Sequence, residues 1–265
     1  MTKISIIITT KNEAQVIENL LNSISGQTYK NYEVILVDNN SSDETVNIAK
    51  KHGYKVYIKG PERSAQRNFG VLKATGDYVL ILDADMVLAK DVLLELSKVK
   101  MPMAVVPEKS FGVGIFVKFK IFEREFYEGE STIEAARYFS REIFLKYKGY
   151  DVNITGPEDY DLPFRLKKDG VKLTRIKSYI LHNEKKFNPF ASAKKKFYYA
   201  SKAGVYANRH RELLLTQGNL FFRSSYFKKW RKIVKNPFLS LGMFLIRIIE
   251  GIGAISGFIY GKFKK

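Results

Sequence analysis

Residues Tyr78–Asp85 read YVLILDAD, an apolar run that ends in two carboxylates, Asp83 and Asp85. The apolar run predicts a buried strand with a turn at its carboxyl end. Two carboxylates so close together at such a place are costly unless a cation lies beside them. A hard divalent ion that holds a diphosphate meets this need, because such ions take oxygen ligands and are held by one or two carboxylates. The alternative is a helix N-cap followed by a turn.

Strand and helix patterns alternate ahead of this segment. Ile4–Thr9, Tyr32–Val37 and Tyr54–Ile58 are interpreted as strands, and segments 13–25, 41–51 and 65–74 as helices. The second helix is predicted from Ser41 and Glu44, which have capping-box spacing. This alternation predicts an α/β fold with a mostly parallel sheet, flanked on both faces by helices. Ligands of such sheets bind beyond the carboxyl ends of the strands, where the loops hold Lys11, Asn12, Glu13, Asp38, Asp83 and Asp85.

A second acidic cluster follows far downstream. Glu158, Asp159 and Asp161 precede or open a predicted helix over Asp159–Lys168. Acids favour the start of a helix because of its dipole, so capping is one interpretation. A catalytic base is the other, and the two are compatible. Metal, diphosphate and base together indicate group transfer from a nucleotide-activated donor.

Charge divides the chain of 265 residues unevenly. Residues 1–184 hold 27 Lys and Arg against 25 Asp and Glu, whereas residues 185–265 hold 18 against two. A basic, aromatic extension of this kind predicts an anionic surface as partner, either a membrane or a nucleic acid. The chain has no Cys, hence no disulfide and no thiolate metal site, which does not fix the compartment. Its first residues lack the apolar core of a signal peptide, so we expect a cytoplasmic protein.

Six short segments occur in order along residues 1–184. They are Ser5–Glu13 (SIIITTKNE), Val37–Asp43 (VDNNSSD), Ala65–Gly70 (AQRNFG), Ala74–Tyr78 (ATGDY), Asp83–Asp85 (DAD) and Gly156–Asp159 (GPED), with Arg165 and Leu166 after them. In this order and spacing they resemble the family 2 glycosyltransferases of GT-A fold. The resemblance implies a Rossmann-like catalytic domain over 1–184. The Gln-x-x-Arg-Trp motif of processive polymer synthases is missing around Trp230, which argues against a processive synthase.

The resemblance also implies donor-side roles. Asp38 is expected to bind the base or ribose of the donor, the alternative being a turn-former in its Asp-Asn-Asn-Ser loop. Asp85 is expected to ligate a divalent cation, Mn²⁺ or Mg²⁺, and Asp83 to hold ribose or metal-bound water. His182 resembles a third metal-side residue, although a lone His is as often structural. The remaining implied donor contacts are Thr9, Lys11, Asn12, Glu13, Arg63 and Arg67, the two arginines facing the diphosphate.

The implied reaction is inverting and needs no covalent intermediate. Asp159 resembles the general base that takes the proton of the acceptor hydroxyl, a step typically worth about 10²–10⁴-fold in rate. Glu158 is expected to orient Asp159 or the acceptor. The metal would stabilise charge on the departing diphosphate.

The extension over 185–265 is expected to be helical and to associate with a membrane. Its lysines and arginines, including Arg209 and Arg211, alternate with aromatic residues, as in interfacial helices. Residues 238–260 are long and apolar enough to span a bilayer, but Arg247 and Glu250 near the middle leave spanning and in-plane orientations open. The alternative without a membrane is a solvated helix, or a helix packed on the catalytic domain. A glycine run, Gly253, Gly257 and Gly261, also allows a homo-oligomer through this helix.

The sequence therefore predicts a metal-dependent glycosyltransferase at the cytoplasmic face of the cell membrane. Its donor would be a nucleotide sugar and its acceptor a hydroxyl on a saccharide or lipid-linked glycan. Transfer to a polyprenyl phosphate is an alternative, but an anionic nucleophile would not need the base. A nucleic-acid-binding protein is the competing class. No nucleic-acid partner is expected, because no recognition motif is present and the apolar 238–260 segment fits DNA poorly.

Overall fold

The computed structural model describes residues 1–130, 134–204, 206 and 224–263, so Arg209 and Arg211 lie outside the described residues. The chain divides into two compact units. The first contains Met1–Glu108, Ala135–Val152 and Glu158–Asn183, and the second contains Lys109–Glu134, Asn153–Pro157 and Glu184–Lys265. Segments 109–134 and 153–157 thus join the second unit, which composition alone did not indicate.

The elements of the first unit alternate as predicted along its first half. Its strands are β1 (Ile4–Thr10), β2 (Tyr32–Asp38), β3 (Lys55–Ile58), β4 (Tyr78–Asp83), β5 (Met86–Leu88), β6 (Met103–Val105), β8 (Ala136–Ser140), β9 (Leu173–Arg175) and β10 (Ile180–Asn183), while β7 (Glu108–Phe111) runs from the first unit into the second. Its helices are α1 (Ile17–Ser25), α2 (Thr45–Lys51), α3 (Arg63–Lys73), α4 (Val92–Ser97), α6 (Arg141–Lys146) and α7 (Glu158–Lys168).

Seven strands form the main sheet, in the order β3-β2-β1-β4-β8-β6-β9. All pairs are parallel except those that β8 makes with β4 and β6, so the predicted mostly parallel α/β sheet is confirmed. Every residue of β1 is buried, because helices cover both faces of a parallel sheet. Separate apolar clusters lie on the two faces, one built around Ile6 and Ile8 and the other around Ile7.

Two helices begin later than the sequence predicts. We expected helices from Glu13 and from Ser41, but α1 begins at Ile17 and α2 at Thr45. The Ser41 hydroxyl donates to the Asp38 carboxylate at 2.6 Å, so it does not cap α2. The capping-box prediction was wrong because the loop after β2 uses its polar side chains to hold its own turn.

Strand register brings distant residues to the same edge of the sheet. In β1, Thr9 pairs with Asp83 of β4 and Thr10 with Asp38 of β2. The carboxyl ends of β1, β2 and β4 therefore meet, as expected for a parallel sheet. In the smaller sheet, β10 pairs antiparallel with β5, and His182 lies opposite Met86, the residue after Asp85.

Apart from the end of β7, the regular elements among the described residues of the second unit are all helices. Its helices are α5 (Ile115–Arg124), α8 (Pro189–Ser201), α9 (Ser224–Lys228), α10 (Trp230–Lys235) and α11 (Pro237–Phe263). Phe122, Phe126, Tyr226 and Met243 form its apolar core. The long helix α11 is the one described helix that is long and apolar enough to cross a bilayer, and 39% of its most apolar window is buried.

A buried ion pair joins α11 to α5. Arg247 donates to Glu123 Oε1 at 2.9 Å, and Lys120 lies 2.7 Å from the other carboxylate oxygen. Although burial raises it, Lys120 and Arg247 lower the pKa of Glu123 to about 2. A lowered pKa favours the ionised carboxylate in the folded state.

We expect Glu123→Gln to lower the stability of the second unit by about 3 kcal/mol at pH 7, since one pKa unit corresponds to about 1.36 kcal/mol. The unfolded pKa is about 4.3, so this contribution is fully present above that pH and is lost between about pH 4 and pH 2. Urea unfolding of both proteins measured from pH 7 to pH 2 tests this. A difference that stays constant below pH 3 would contradict the assignment.

Candidate active site

Arg67 is the centre of the site at the carboxyl edge of the sheet. It lies on α3 and its side chain is 0% exposed. Its Nη1 donates to Asp159 Oδ1 at 2.6 Å, and its Nη2 donates to Asp83 Oδ1 at 2.9 Å. Glu158 Oε1 lies 3.6 Å from Nη1. One guanidinium thus holds carboxylates from the end of β4 and the start of α7, which are 76 positions apart in the chain.

Because these charged side chains lie mostly inside the protein, they depend on one another for compensation of charge. An isolated charge inside a protein is strongly disfavoured, so each carboxylate needs the cation and the cation needs them. Burial lowers the pKa of Arg67, but Asp159 and Asp83 raise it well above its usual value. Burial raises the pKa of Asp83, but Arg67 and Arg137 hold it far below its usual range. Both groups are therefore charged at neutral pH.

The charges continue from Asp83 towards His182. Arg137 Nη1 lies 3.7 Å from Asp83 Oδ2, and Arg137 Nε donates to Glu108 Oε1. Glu108 Oε2 lies 3.5 Å from His182 Nδ1, and His182 Nε2 lies 3.4 Å from Asp85 Oδ2. We call this series from Asp159 to Asp85 the ionic chain. It connects the predicted base to the predicted metal ligands through alternating acidic and basic side chains.

Asp85 and His182 fit a divalent cation. Two neighbouring ligand atoms of an octahedral ion lie about 3 Å apart when each is about 2.1 Å from the metal. The 3.4 Å between Asp85 Oδ2 and His182 Nε2 is close to that spacing. Glu108 beside the other imidazole nitrogen matches the carboxylate that commonly orients a metal-binding histidine. The described ranges contain no cluster of three or more His, Cys, Asp or Glu suited to an ion, so water or substrate oxygens would complete the coordination.

Asp83, the other predicted metal residue, has different neighbours. Its carboxylate contacts Arg67 and Arg137 and accepts a hydrogen bond from Thr9 Oγ1 at 3.3 Å. These cations neutralise Asp83 without a metal. Its role towards metal or ribose remains a prediction, while Thr9 is placed beside it as the strand register requires.

The start of α7 presents Glu158 and Asp159 together. Glu158 is buried, and its Oε1 lies 3.0 Å from Arg63 Nη2. Burial and the nearby Asp159 raise the pKa of Glu158, against the opposing effect of Arg63 and Arg67. Asp159 is more accessible, with 18% of its side chain exposed. Of the two acids, Asp159 is therefore better placed to meet an acceptor.

The predicted arginines occupy different positions. Arg63 is about one-third exposed, so it can still meet an anionic ligand. Arg67 is fully buried with both terminal nitrogens on carboxylates, whereas the sequence placed it facing a diphosphate. The difference follows from the inward face of α3, which also buries Gln66 and Gly70. The contacts of Arg67 support a positioning role.

The loops after β1 and β2 hold the other predicted donor residues. Asp38 is buried and accepts from Thr10 Oγ1 at 2.6 Å and from the Ser41 amide at 2.7 Å, which is the turn-forming arrangement. Lys11 Nζ donates to the carbonyl oxygens of Asn39 and Asn40.

The side chain of Asn12 accepts from the Ser42 amide, and the Glu13 amide donates to the Thr45 hydroxyl. The predicted residues Lys11, Asn12, Glu13 and Asp38 thus form one structured rim. Their contacts with a donor remain predictions.

Sequence reasoning missed three members of the site. Arg137 and Glu108 complete the ionic chain, and the ring of Tyr150 lies 5.3 Å from the Arg67 guanidinium carbon. Arg137 carried a usable signal, because a charged residue inside the apolar strand Ala136–Ser140 must have a buried partner. Glu108 and Tyr150 carried none.

The sequence of the first part of the chain is similar to known glycosyltransferases. Residues 5–100 match the family model described as glycosyl transferase family 2. An uncharacterized glycosyltransferase of Rickettsia typhi is 42% identical over 98 residues, which are 36% of this chain and 32% of that protein. The poly(ribitol-phosphate) β-N-acetylglucosaminyltransferase TarS of Staphylococcus aureus is 34% identical over 104 residues, covering 35% of this chain and 18% of TarS. The similar region is thus a third or less of these relatives.

Solved structures share the fold over nearly the whole chain. The mannosyltransferase PcManGT of Pyrobaculum calidifontis, in complex with GDP-Man and Mn²⁺, has a TM-score of 0.67 and 18% identity over 100% of this chain and 88% of that one. TarS residues 1–349 with UDP-GlcNAc give a TM-score of 0.58 at 16% identity, covering 99% and 92%. At these identities the likeness concerns the fold.

Proposed function

Because the chain contains a family 2 glycosyltransferase domain of GT-A-type fold, we propose that it moves a sugar from a nucleotide-diphosphate donor to an acceptor hydroxyl, with inversion at the sugar carbon. The observation that carries this proposal is the meeting of Asp83 and Asp159 on one guanidinium, with Asp85 and His182 at the other end of the ionic chain. The groups needed for donor and acceptor thus lie in one unit.

On the donor side, Asp85 and His182 would hold a divalent cation, Mn²⁺ or Mg²⁺, which would stabilise charge on the diphosphate. Arg63 is about one-third exposed, which allows it to meet the phosphates. Lys11, Asn12 and Glu13 line the rim on which the nucleotide lies, with Asp38 beneath it and Thr9 beside Asp83. Support for this arrangement comes from the strand register, which brings the three loops together.

On the acceptor side, Asp159 takes the proton of the hydroxyl as its oxygen attacks. The new carbon–oxygen bond forms as the bond to the diphosphate breaks, the diphosphate leaves with the electron pair, and the proton goes to the Asp159 carboxylate. Arg67 fixes the direction of that carboxylate through its 2.6 Å hydrogen bond. Glu158, held by Arg63, shapes the acceptor side of the site.

The acceptor proposed is a saccharide hydroxyl on a lipid-linked or cell-surface glycan, at the cytoplasmic face of the membrane. Support comes from the basic extension and the apolar helix α11. A polyprenyl phosphate is the second candidate. It is less favoured, because its oxygen is already anionic and would approach Glu158 and Asp159 unfavourably.

A thermal-shift panel of nucleotide sugars with Mn²⁺ or Mg²⁺ tests the donor side, because a ligand that binds only the folded protein raises its Tm. We expect one nucleotide class to raise the Tm only when the metal is present. The matching transfer assay then uses that donor. A chain whose Tm responds to no nucleotide sugar at millimolar concentration would contradict the proposal.

His182→Ala and Asp85→Asn are each expected to weaken binding of the Mn²⁺–nucleoside diphosphate at least tenfold, because each removes one of two protein ligands. Glu108→Gln is expected to cost about 10–100-fold as the partner that orients His182. Isothermal titration with and without Mn²⁺ measures these changes. His52→Ala is the matched control, since His52 lies at the end of α2 and stacks on Tyr54. Unchanged metal dependence in both ligand variants would exclude this ion site.

A further inference from the structure

We propose that α11 lies in the plane of an anionic membrane surface, with one face in lipid and the other on α5 and α8, and does not cross the bilayer. This inference deepens the membrane association in the proposed function, on which it rests, but it is independent of the glycosyl-transfer chemistry.

One face of α11 is an exposed apolar stripe. Its members recur at intervals of three and four residues, which places them on one side of a helix. They are Phe238, Leu241, Leu245, Ile248, Ile252, Ile255 and Ile259, all exposed, with Leu241 at 72% and Ile252 at 62%. We call this set the α11 stripe. A stripe of such length, about 31 Å at 1.5 Å per residue, is unusual on a surface in contact with water.

The opposite face of α11 is already packed against the second unit, and it includes two charged residues. Arg247 and Glu250 are both buried. Arg247 pairs with Glu123 of α5, while Glu250 Oε1 accepts from Ser192 of α8 at 2.5 Å and lies 3.4 Å from Lys120. The two charges that left the orientation open in the sequence are therefore paired with opposite charges inside the second unit. Because these contacts cover one face of α11, the face that remains for a partner is the α11 stripe.

The glycine run of α11 packs against α8 of the same chain. A Cβ at Gly253, Gly257 or Gly261 would overlap the carbonyl oxygen of Ala193, Phe197 or Ser201, respectively. The two helices thus run parallel at the closest approach that glycine permits. The sequence allowed this run to join a second copy of the chain, but its partner is α8. The glycine face that could have formed a homo-oligomer interface is therefore covered by α8 of the same chain.

This packing disfavours a spanning orientation. Since α8 runs alongside the second half of α11, a spanning α11 would carry the exposed Lys194 and Lys195 into the hydrocarbon. Level with residues 254 and 255, they would lie about 6–8 Å from the centre of the helix. A lysine near the centre of the bilayer costs about 2.5–3.5 kcal/mol on insertion scales. In the plane of the membrane, the same lysines stay at the level of the headgroups.

Charge identifies the partner as an anionic bilayer rather than a second copy. Residues 185–265 hold 18 basic residues and two acids, and one of those acids, Glu250, is buried. Two copies that met through the α11 stripe would bring this excess of positive charge together. An anionic leaflet attracts it, by about 1 kcal/mol for each Lys or Arg near the surface. The exposed Trp230 on α10 is typical of the membrane interface.

Depth measurements test the orientation directly. The chain has no Cys, so single cysteines at Leu241, Ile248 and Ile255 each take one environment-sensitive fluorophore. On vesicles of phosphatidylcholine with about one-third phosphatidylglycerol, in-plane binding predicts similar shallow depths for all three, from quenching by lipids labelled at different depths. A spanning helix centred on the bilayer would instead place Ile248 within about 3 Å of the midplane, at about 1.5 Å per residue, with Leu241 and Ile255 farther from it in opposite leaflets. A depth of Ile248 near the bilayer centre, deeper than both other positions, overturns the proposal.

Vesicle sedimentation with surface variants supplies the second test. The double variant Leu241→Asp with Ile252→Asp is expected to lower the membrane partition constant at least tenfold, because two apolar side chains no longer enter the lipid. Leu72→Asp is the matched control, since Leu72 is 64% exposed on α3 in the first unit, and it is expected to change binding less than twofold. Binding that is unaffected by the double substitution overturns the proposal. The proposal is also overturned if, without vesicles, the protein is a dimer by sedimentation velocity and the three fluorophores report a buried environment.

The result also separates from the proposed function. Vesicle binding is measured without donor or metal, so it succeeds or fails whether or not a nucleotide sugar binds. An in-plane helix in a protein whose Tm rises with no nucleotide sugar would contradict the proposed enzyme activity and leave this inference intact. A protein whose Tm rises with a nucleotide sugar but that does not bind anionic vesicles would contradict this inference and leave the transfer chemistry untouched.

Discussion

Asp159→Asn is expected to bind the nucleotide sugar as tightly as the wild type does and to transfer the sugar about 10²–10⁴-fold more slowly, the usual worth of a general base. The asparagine oxygen can still accept the hydrogen bond from Arg67, so the site keeps its shape. What is lost is the group that receives the acceptor proton. Donor affinity by titration and transfer under saturating donor, measured on the same preparation, separate the two effects.

The matched control is Asp169→Asn, just beyond the end of α7. Asp169 accepts a hydrogen bond from the Tyr147 hydroxyl at the surface, and we expect its variant to transfer at the wild-type rate. Near-wild-type turnover in Asp159→Asn would remove Asp159 from the mechanism. Equal losses of donor binding and transfer would assign it a structural role instead.

Arg67→Leu is expected to lower the free energy of unfolding by about 3–5 kcal/mol and to abolish transfer, because it leaves Asp159 without its buried cation and Asp83 with Arg137 at 3.7 Å. Arg67→Lys is expected to recover part of the stability but little of the transfer. An ammonium is a point charge and does not bridge two carboxylates as the planar guanidinium does. Urea unfolding and the transfer assay measure both effects.

Arg63→Leu provides the comparison for Arg67. Its side chain is about one-third exposed, so its pairing with Glu158 contributes little to stability, on the order of 1 kcal/mol or less. If Arg63 meets the diphosphate, its loss weakens donor binding more than it weakens the fold. An Arg67→Leu protein that kept wild-type stability and lost only donor affinity would return Arg67 to the role that the sequence suggested.

The architecture was predictable because its signals are local and periodic. The apolar runs that form β1, β2 and β4 alternate with helices of one apolar face, and this pattern alone requires a parallel sheet covered on both sides. The meeting of loops at one edge follows from the same geometry. For α11, helical periodicity places Leu245 and Ile252 on one side and Arg247 and Glu250 on the other; the first two are exposed and the last two are buried.

Partners of buried charges were not predictable, because they depend on tertiary contacts between distant segments. Arg67 was assigned to a diphosphate since an arginine near a phosphate site usually binds one, and nothing local shows which face of α3 turns inward. Glu108 lies in a segment without a clear pattern. The glycine run of α11 predicted close helix packing, but only the fold shows that α8 is the partner.

A crystal structure with Mn²⁺ and the nucleoside diphosphate selected by the thermal-shift panel tests the central claim most directly. The anomalous signal of manganese is predicted between Asp85 and His182, about 2.2 Å from each ligand atom. Asp159 should remain on Arg67, at the side of the site from which an acceptor approaches. Manganese and diphosphate bound elsewhere on the sheet, or a bound complex that leaves Asp85 and His182 without contact to the ion, would contradict the account.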